Sequence, residues 1–142
     1  MPFDSLINSL QLFESNIDDI VTSLASKHED EIVRMNVERI VDEHRYISGE
    51  LITPVYAAVT QEYKGFENPN LFSTGSFIGK LAIRDVRDGI EVFSRDSKYK
   101  EGLLDKYSED GDFLGLSDEG LDLLSSYVKP DLIDAFRETV GV

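Results

Sequence analysis

Gly75-Ser76-Phe77-Ile78-Gly79-Lys80 is the stretch of this chain nearest in composition to a phosphate cradle. Glycines let backbone N–H groups approach an anion, and a lysine follows at once. The spacing is one residue short, however, and Leu81 stands where a magnesium-binding hydroxyl belongs, so two glycines in a strand are the simpler reading. Asp110 and Asp112 could offer oxygens to calcium, yet no register supplies an oxygen ladder, a central glycine and a terminal glutamate together. His28 and His44 are sixteen residues apart, with no carboxylate at zinc-motif spacing. The absence of cysteine removes thiolate nucleophiles, thiolate metal sites and disulfide scaffolds. No serine sits in a nucleophile elbow, and no carboxylate pair for glycoside chemistry stands out among 28 acids. The expectation is therefore a protein that is not an enzyme, with no catalytic residue, no cofactor and no metal.

Charge is the stronger signal. The formal net charge is −14, which repels nucleic acid and anionic lipid at long range. The charge is unevenly spread. Between Asp105 and Asp134 nine acids face only Lys106 and Lys129, whereas Tyr63 to Lys100 carries seven bases and five acids. A solvated acidic face is the plain interpretation; the sharper one is that the basic part of one copy meets the acidic part of another. No apolar run approaches the roughly 20 residues that cross a bilayer. The start, MPFDSLINSL, lacks the basic region of a signal peptide, so folding in a cytoplasm is expected.

The elements that must position these charges follow from periodicity. Length and composition (142 residues, 41% hydrophobic, 30% charged) predict one soluble α+β domain over 1–142. Residues 1–47 form a helical arm. Phe3, Leu6, Ile7, Leu10, Phe13, Ile17, Ile20, Val21 and Leu24 make an apolar stripe over 3–25, which also fits a short coiled-coil seam, with packing on the hairpin the expected use. A second helix starts near Glu29, runs through Ile32, Met35, Ile40 and Val41, and should end by Ser48-Gly49. Residues 49–70 are ambiguous between an ordered loop and a short helix over 55–63 with Pro54 in its first turn.

Residues 71–94 organise the rest. Thr74-Gly75 leads in, with glycine free to take a positive φ. Alternation from Phe77 predicts a strand over 76–84, Asp88-Gly89 a turn, and Ile90 and Val92 a second, antiparallel strand over 89–94. Leu81, Ile83, Ile90 and Val92 should be buried. Tyr99, Leu103, Leu104 and Tyr107 pack inward from a short helix or turn. Ser117 caps a C-terminal helix over 117–140 that buries Leu121, Leu124, Val128, Leu132, Ile133 and Phe136, and Pro130 should kink or divide it.

This order of elements resembles the tailed-bacteriophage neck and tail-completion (head–tail connector) proteins. The matching residues are Thr74-Gly75, Gly89-Ile90-Glu91-Val92, Lys98-Tyr99, Tyr107 and Phe113-Leu114-Gly115-Leu116-Ser117-Asp118-Glu119. Leu103 to Tyr107, with Gly49, Pro54 and Tyr56 before it, is similar to the Bacteroidetes-phage versions. The resemblance covers about residues 36 to 138. Two departures stand out: Ser76-Phe77-Ile78 where Leu-Arg is common, and Ser108-Glu109 where a glycine follows the tyrosine.

The resemblance implies a structural virion subunit that forms a ring at the head–tail junction or in the tail. It would assemble in the bacterial host cytoplasm. Its partners would be other copies of itself and neighbouring portal, neck or tail proteins, with no sequence-specific nucleic acid and no membrane. The charge split supplies subunit-interface candidates: Lys80, Arg84, Arg87 and Arg95 against Asp110, Asp112, Asp118 and Asp122. The alternative from another class is an acidic inhibitor or immunity-type protein, monomeric or dimeric, whose carboxylates mimic DNA phosphates.

Overall fold

A computed structural model describes residues 3–71, 75–87, 89–102 and 104–141, backbone only at 98 and 100. Its α+β architecture is as the periodicities predict: helices around one two-stranded antiparallel sheet, closed by a C-terminal helix. Helix α1 (Phe3–Ser26) turns back at Lys27 and His28 into α2 (Glu29–Val37), whose first turn carries three acids. The chain then widens into a π-helical turn, Glu38–Asp42, where the Glu43 N–H donates to the Glu38 carbonyl at 3.2 Å. The second helix therefore stops at Asp42, not near Gly49. His44 takes a φ of 57°, and a tight turn follows in which the Tyr46 N–H reaches the Glu50 carbonyl at 2.8 Å. Gly49, with φ 93°, closes that turn.

The ambiguous stretch resolves into an ordered loop followed by α3 (Ala58–Lys64), which Gly65 ends in a left-handed conformation. This helix begins three residues later than expected, and Pro54 lies outside it, after a cis Thr53–Pro54 bond.

The first strand is shorter than the alternation implied. Gly75 has a φ of 81° and opens one helical turn, α4 (Ser76–Gly79), so β1 runs only Leu81–Val86. In that turn Phe77 and Ile78, adjacent in sequence, are both buried. Strand β2 (Gly89–Ser94) pairs with β1 in the register Leu81↔Ser94, Ile83↔Val92 and Val86↔Gly89. Arg87 is thus at the tip and Gly89 begins a strand; Thr74 and Asp88 lie outside the described residues. Leu81 and Val92 are buried, Ile83 and Ile90 half-buried. The outer edge of β1 is blunted by α2, because Glu29 Oε2 accepts the Ile83 N–H at 3.3 Å.

After the hairpin come a helical turn, α5 (Ser97–Lys100), and a 3₁₀ turn, Asp105–Tyr107; Tyr99, Leu104 and Tyr107 pack on the core, and Leu103 lies outside the described residues. Helix α6 (Asp118–Val140) starts at Ser117, whose Oγ accepts the Gly120 N–H at 3.1 Å. It is not divided at Pro130: that residue is exposed, so water can reach the backbone carbonyl its ring leaves unpartnered. Leu121 and Ile133 do not face the core; each is 50% exposed.

Two clusters hold the molecule. The larger joins Ile40, Tyr46, Ile52, Leu71, Phe77, Ile78, Leu81 and Phe113 around the hairpin base. The smaller joins Leu24, Ala25 and Val128. Phe13 meets Phe136 edge-to-face at 5.2 Å, so α1 and α6 run antiparallel. The stripe of α1 is thus met mainly by α6 and not by the hairpin, which it touches only near its C-terminal end, where Ser26 Oγ lies 3.2 Å from Asp85 Oδ1.

Candidate functional site

All eight charged candidates from the sequence are exposed. The four bases do not form one compact patch. Lys80 and Arg95 sit together at the base of the hairpin, where the Arg95 N–H donates to the Lys80 carbonyl at 3.0 Å. Arg87 is at the tip, about 20 Å away along a six-residue strand. Arg84, between them, is already engaged: its Nε donates to Glu91 Oε2 at 2.8 Å, and its guanidinium lies 4.4 Å from the centre of the Phe93 ring. The hydrogen bond from Arg84 holds the Glu91 carboxyl below its ordinary value and raises the Arg84 guanidinium.

The acids are set by other elements. Asp110 accepts a 2.7 Å hydrogen bond from the Thr53 hydroxyl, and the Asp112 carbonyl accepts the Ile47 N–H at 2.9 Å. Asp118 and Asp122 stand one turn apart at the start of α6, where negative charge favours the positive end of the helix dipole. Arg87 and Asp112 line one open cleft of 1340 Å³ between the end of α1, the hairpin, the Phe113–Leu116 step and the start of α6. Its walls include Val21, Ile90, Val92, Leu116, Leu121 and Leu124, and its rim carries Asp18, Asp19, Asp85, Glu91 and Asp112 beside Arg87. The structure therefore brings one basic and one acidic candidate onto the same side, while Lys80 and Arg95 stay at the far end of the hairpin.

What fixes this geometry is a pair the sequence did not single out. Asn36 and Arg39, both buried, clamp the Phe113–Gly115 step from α2 and the π-helical turn. Asn36 Oδ1 accepts the Gly115 N–H at 2.9 Å and a bond from Arg39 Nη2 at 3.1 Å. Arg39 also donates to the Phe113 and Gly115 carbonyls. Burial lowers the Arg39 pKa, partly countered by Glu43. Tyr46 does a similar task nearby: its hydroxyl is 2.6 Å from the Tyr107 carbonyl and accepts the Thr53 N–H at 3.1 Å. Gly111 lies against the Tyr46 ring, where any Cβ would come within 2.9 Å of it. The available sequence signal was Asn36 itself, a polar residue four positions from both Ile32 and Ile40 in an apolar stripe.

Among the described residues, no three His, Asp or Glu side chains are placed to hold a metal ion, and no helix is long and apolar enough to cross a membrane. No protein-family model, curated protein or solved structure matches the chain.

Proposed function

We propose that this chain is a structural, non-catalytic subunit of a tailed-phage virion that forms a ring at the head–tail junction or in the tail. It would be made in the bacterial host cytoplasm and joined there to copies of itself and to neighbouring portal, neck or tail proteins. The observation that carries the reading is that opposite charges are left exposed on separate elements, bases along the hairpin and acids at the start of α6. A closed ring needs two complementary patches used head-to-tail on one subunit. The resemblance over residues 36 to 138 points to the same architecture. Exposed charge pairs add only about 0–1 kcal/mol each, so they set orientation and association rate while apolar contact supplies stability.

Because Arg84 is engaged with Glu91, the informative bases are Arg87 and Arg95. Reversing both to Glu should reduce particle assembly, and adding Asp118→Lys with Asp122→Lys should partly restore it. Salt above about 0.5 M should blunt the defect, because the screening length falls to a few ångströms. Light scattering and electron microscopy of the purified protein, alone and with virions, give the broader test. Masses never exceeding two chains, with the protein absent from particles, would overturn the ring and favour an acidic inhibitor. Absence of rescue with every variant folded would remove the charge pairing alone.

A further inference from the structure

Helix α1 has an apolar stripe wide enough for two neighbours; among the described residues it meets the hairpin only near its C-terminal end, and along the rest of its length it has α6 alone. Leu6, Phe13, Ile20 and Leu24 turn toward α6, all buried or half-buried. Beside them Phe3, Ile7, Leu10, Ile17 and Val21 remain between 36% and 73% exposed. These residues recur at spacings of three, four and seven, which places them on one flank of the helix. On α6, Ile133 is also half-exposed. Phe13 lies level with Phe136 and Leu24 with Val128, so Ile133 is level with Ile17. Helical periodicity turns both toward the same side of the two-helix arm.

The charges flanking this face have opposite signs on its two helices. Helix α1 contains four acids and no base, and Glu14 and Asp18, one turn apart, border the exposed stripe. On α6, Lys129 and Arg137 stand one turn before and one turn after Ile133, on the same stripe, all three exposed. Along the arm, Glu14 and Asp18 are level with the segment between Lys129 and Arg137. A second copy turned about an axis parallel to the helices lays α1 on its partner's α6 and the reverse. That contact covers Leu10 and Ile17 of one copy with Ile133 of the other, matches Glu14 and Asp18 to Lys129 and Arg137 twice over, and makes every neighbouring pair antiparallel.

We propose that the α1–α6 arm is a dimerisation surface, closing with the same arm of a second copy into an antiparallel four-helix bundle. The contact is isologous, so it is separate from the head-to-tail contact of a ring and does not depend on it.

Analytical ultracentrifugation of the purified chain tests it. Purified away from its virion neighbours, on which a ring would be built, the wild type should sediment at twice the 16.0 kDa chain mass. Ile17→Lys or Ile133→Asp should halve that mass with the far-ultraviolet helical signal retained, while Arg87→Glu with Arg95→Glu should leave it unchanged. Glu14→Lys should weaken the dimer at least tenfold, and Lys129→Glu in the same chain should recover most of the loss. The chain lacks cysteine, so single cysteines report pairing cleanly. Chains carrying Ile17→Cys, mixed with chains carrying Ile133→Cys, should be joined by a short bismaleimide far more than either alone. A wild type that stays monomeric at about 0.1 mM, a dimer indifferent to Ile17→Lys and Ile133→Asp, or Ile17→Cys chains joining to themselves as readily as to Ile133→Cys chains would overturn the proposal.

Discussion

The hairpin-centred body and the α1–α6 arm bury their apolar residues in opposite ways. In the body, apolar burial is tied down by polar side chains that are themselves buried: Asn36, Arg39, Tyr46, Ser94 and Asp96. Ser94 Oγ donates to the Phe77 carbonyl and accepts the Asp96 N–H, and Ser76 donates to Asp96, so the base of the hairpin is stitched to α4. In the arm, two helices of 24 and 23 residues meet along Phe13, Leu24, Ala25 and Val128, and an apolar flank is left facing out. A loop such as Phe113–Gly115 cannot satisfy its backbone groups by itself, so its burial demands specific donors and acceptors. Helices satisfy their own backbone and need only apolar area, which another chain can supply as well as this one. The body therefore specifies a conformation, and the arm leaves a valency.

The largest expected effect lies in the body. Ile40 is fully buried in the larger cluster, and Ile40→Ala should cost about 2–5 kcal/mol in chemical denaturation, as should Leu81→Ala at the start of β1. A loss below about 0.5 kcal/mol at either site would mean that this cluster is not the stabilising centre. Next comes the clamp. Arg39→Met keeps the apolar stem but strands the Phe113 and Gly115 carbonyls, at a cost of about 1–3 kcal/mol. A neutral Arg39→Met would show that removing a buried guanidinium offsets the lost bonds, and the contrast drawn above would then rest on apolar packing alone.

How much of this contrast was legible differs between the regions for a physical reason. Local periodicity revealed α1, α2, the hairpin and the cap at Ser117, because each is written within a few residues. The α4 turn was hidden because Phe77, Gly79, Leu81 and Ile83 continue a period of two across a helical turn. The Arg84–Glu91 pair was hidden by one residue of turn register: a turn centred on Asp88-Gly89 would set Arg84 opposite Phe93, whereas Val86↔Gly89 sets it opposite Glu91. Asn36 and Arg39 bond partners 74 to 79 residues away, and no local pattern reveals such a distance. The exposed charges were all legible as charges. Which of them are engaged within the chain was not.

A third outcome concerns the arm taken alone. In the monomeric Ile133→Asp variant, amides of α1 should exchange with solvent at least tenfold faster than those of α2, a difference of about 1.4 kcal/mol in opening free energy. The arm then has only a narrow seam to hold it, while α2 is held by the clamp and the hairpin. Equal protection of the two helices would erase the distinction between body and arm.

The smallest expected effect sharpens the contrast from its outer rim, at the Arg84–Glu91 pair. Here the hydrogen bond from Arg84 depresses the Glu91 carboxyl. A carboxyl depressed in the folded state stabilises the fold above its unfolded value, near 4.3, and loses that contribution as pH falls through the folded value. Glu91→Gln should therefore lower the melting temperature slightly at pH 7, by less than about 2 °C, because both side chains are well exposed. The gap should narrow in acid, as pH falls through the depressed folded value and the wild-type carboxyl takes up its proton, and should shrink in about 0.5 M salt at pH 7. Melting curves of the two proteins at neutral and acid pH and at both salt concentrations decide it. A gap that persists unchanged in acid would mean that Glu91 acts through packing on its strand neighbours and not through its charge. The hairpin surface would then be stitched like the body beneath it, and Arg84 would rejoin Arg87 and Arg95 as a base available to a neighbouring subunit.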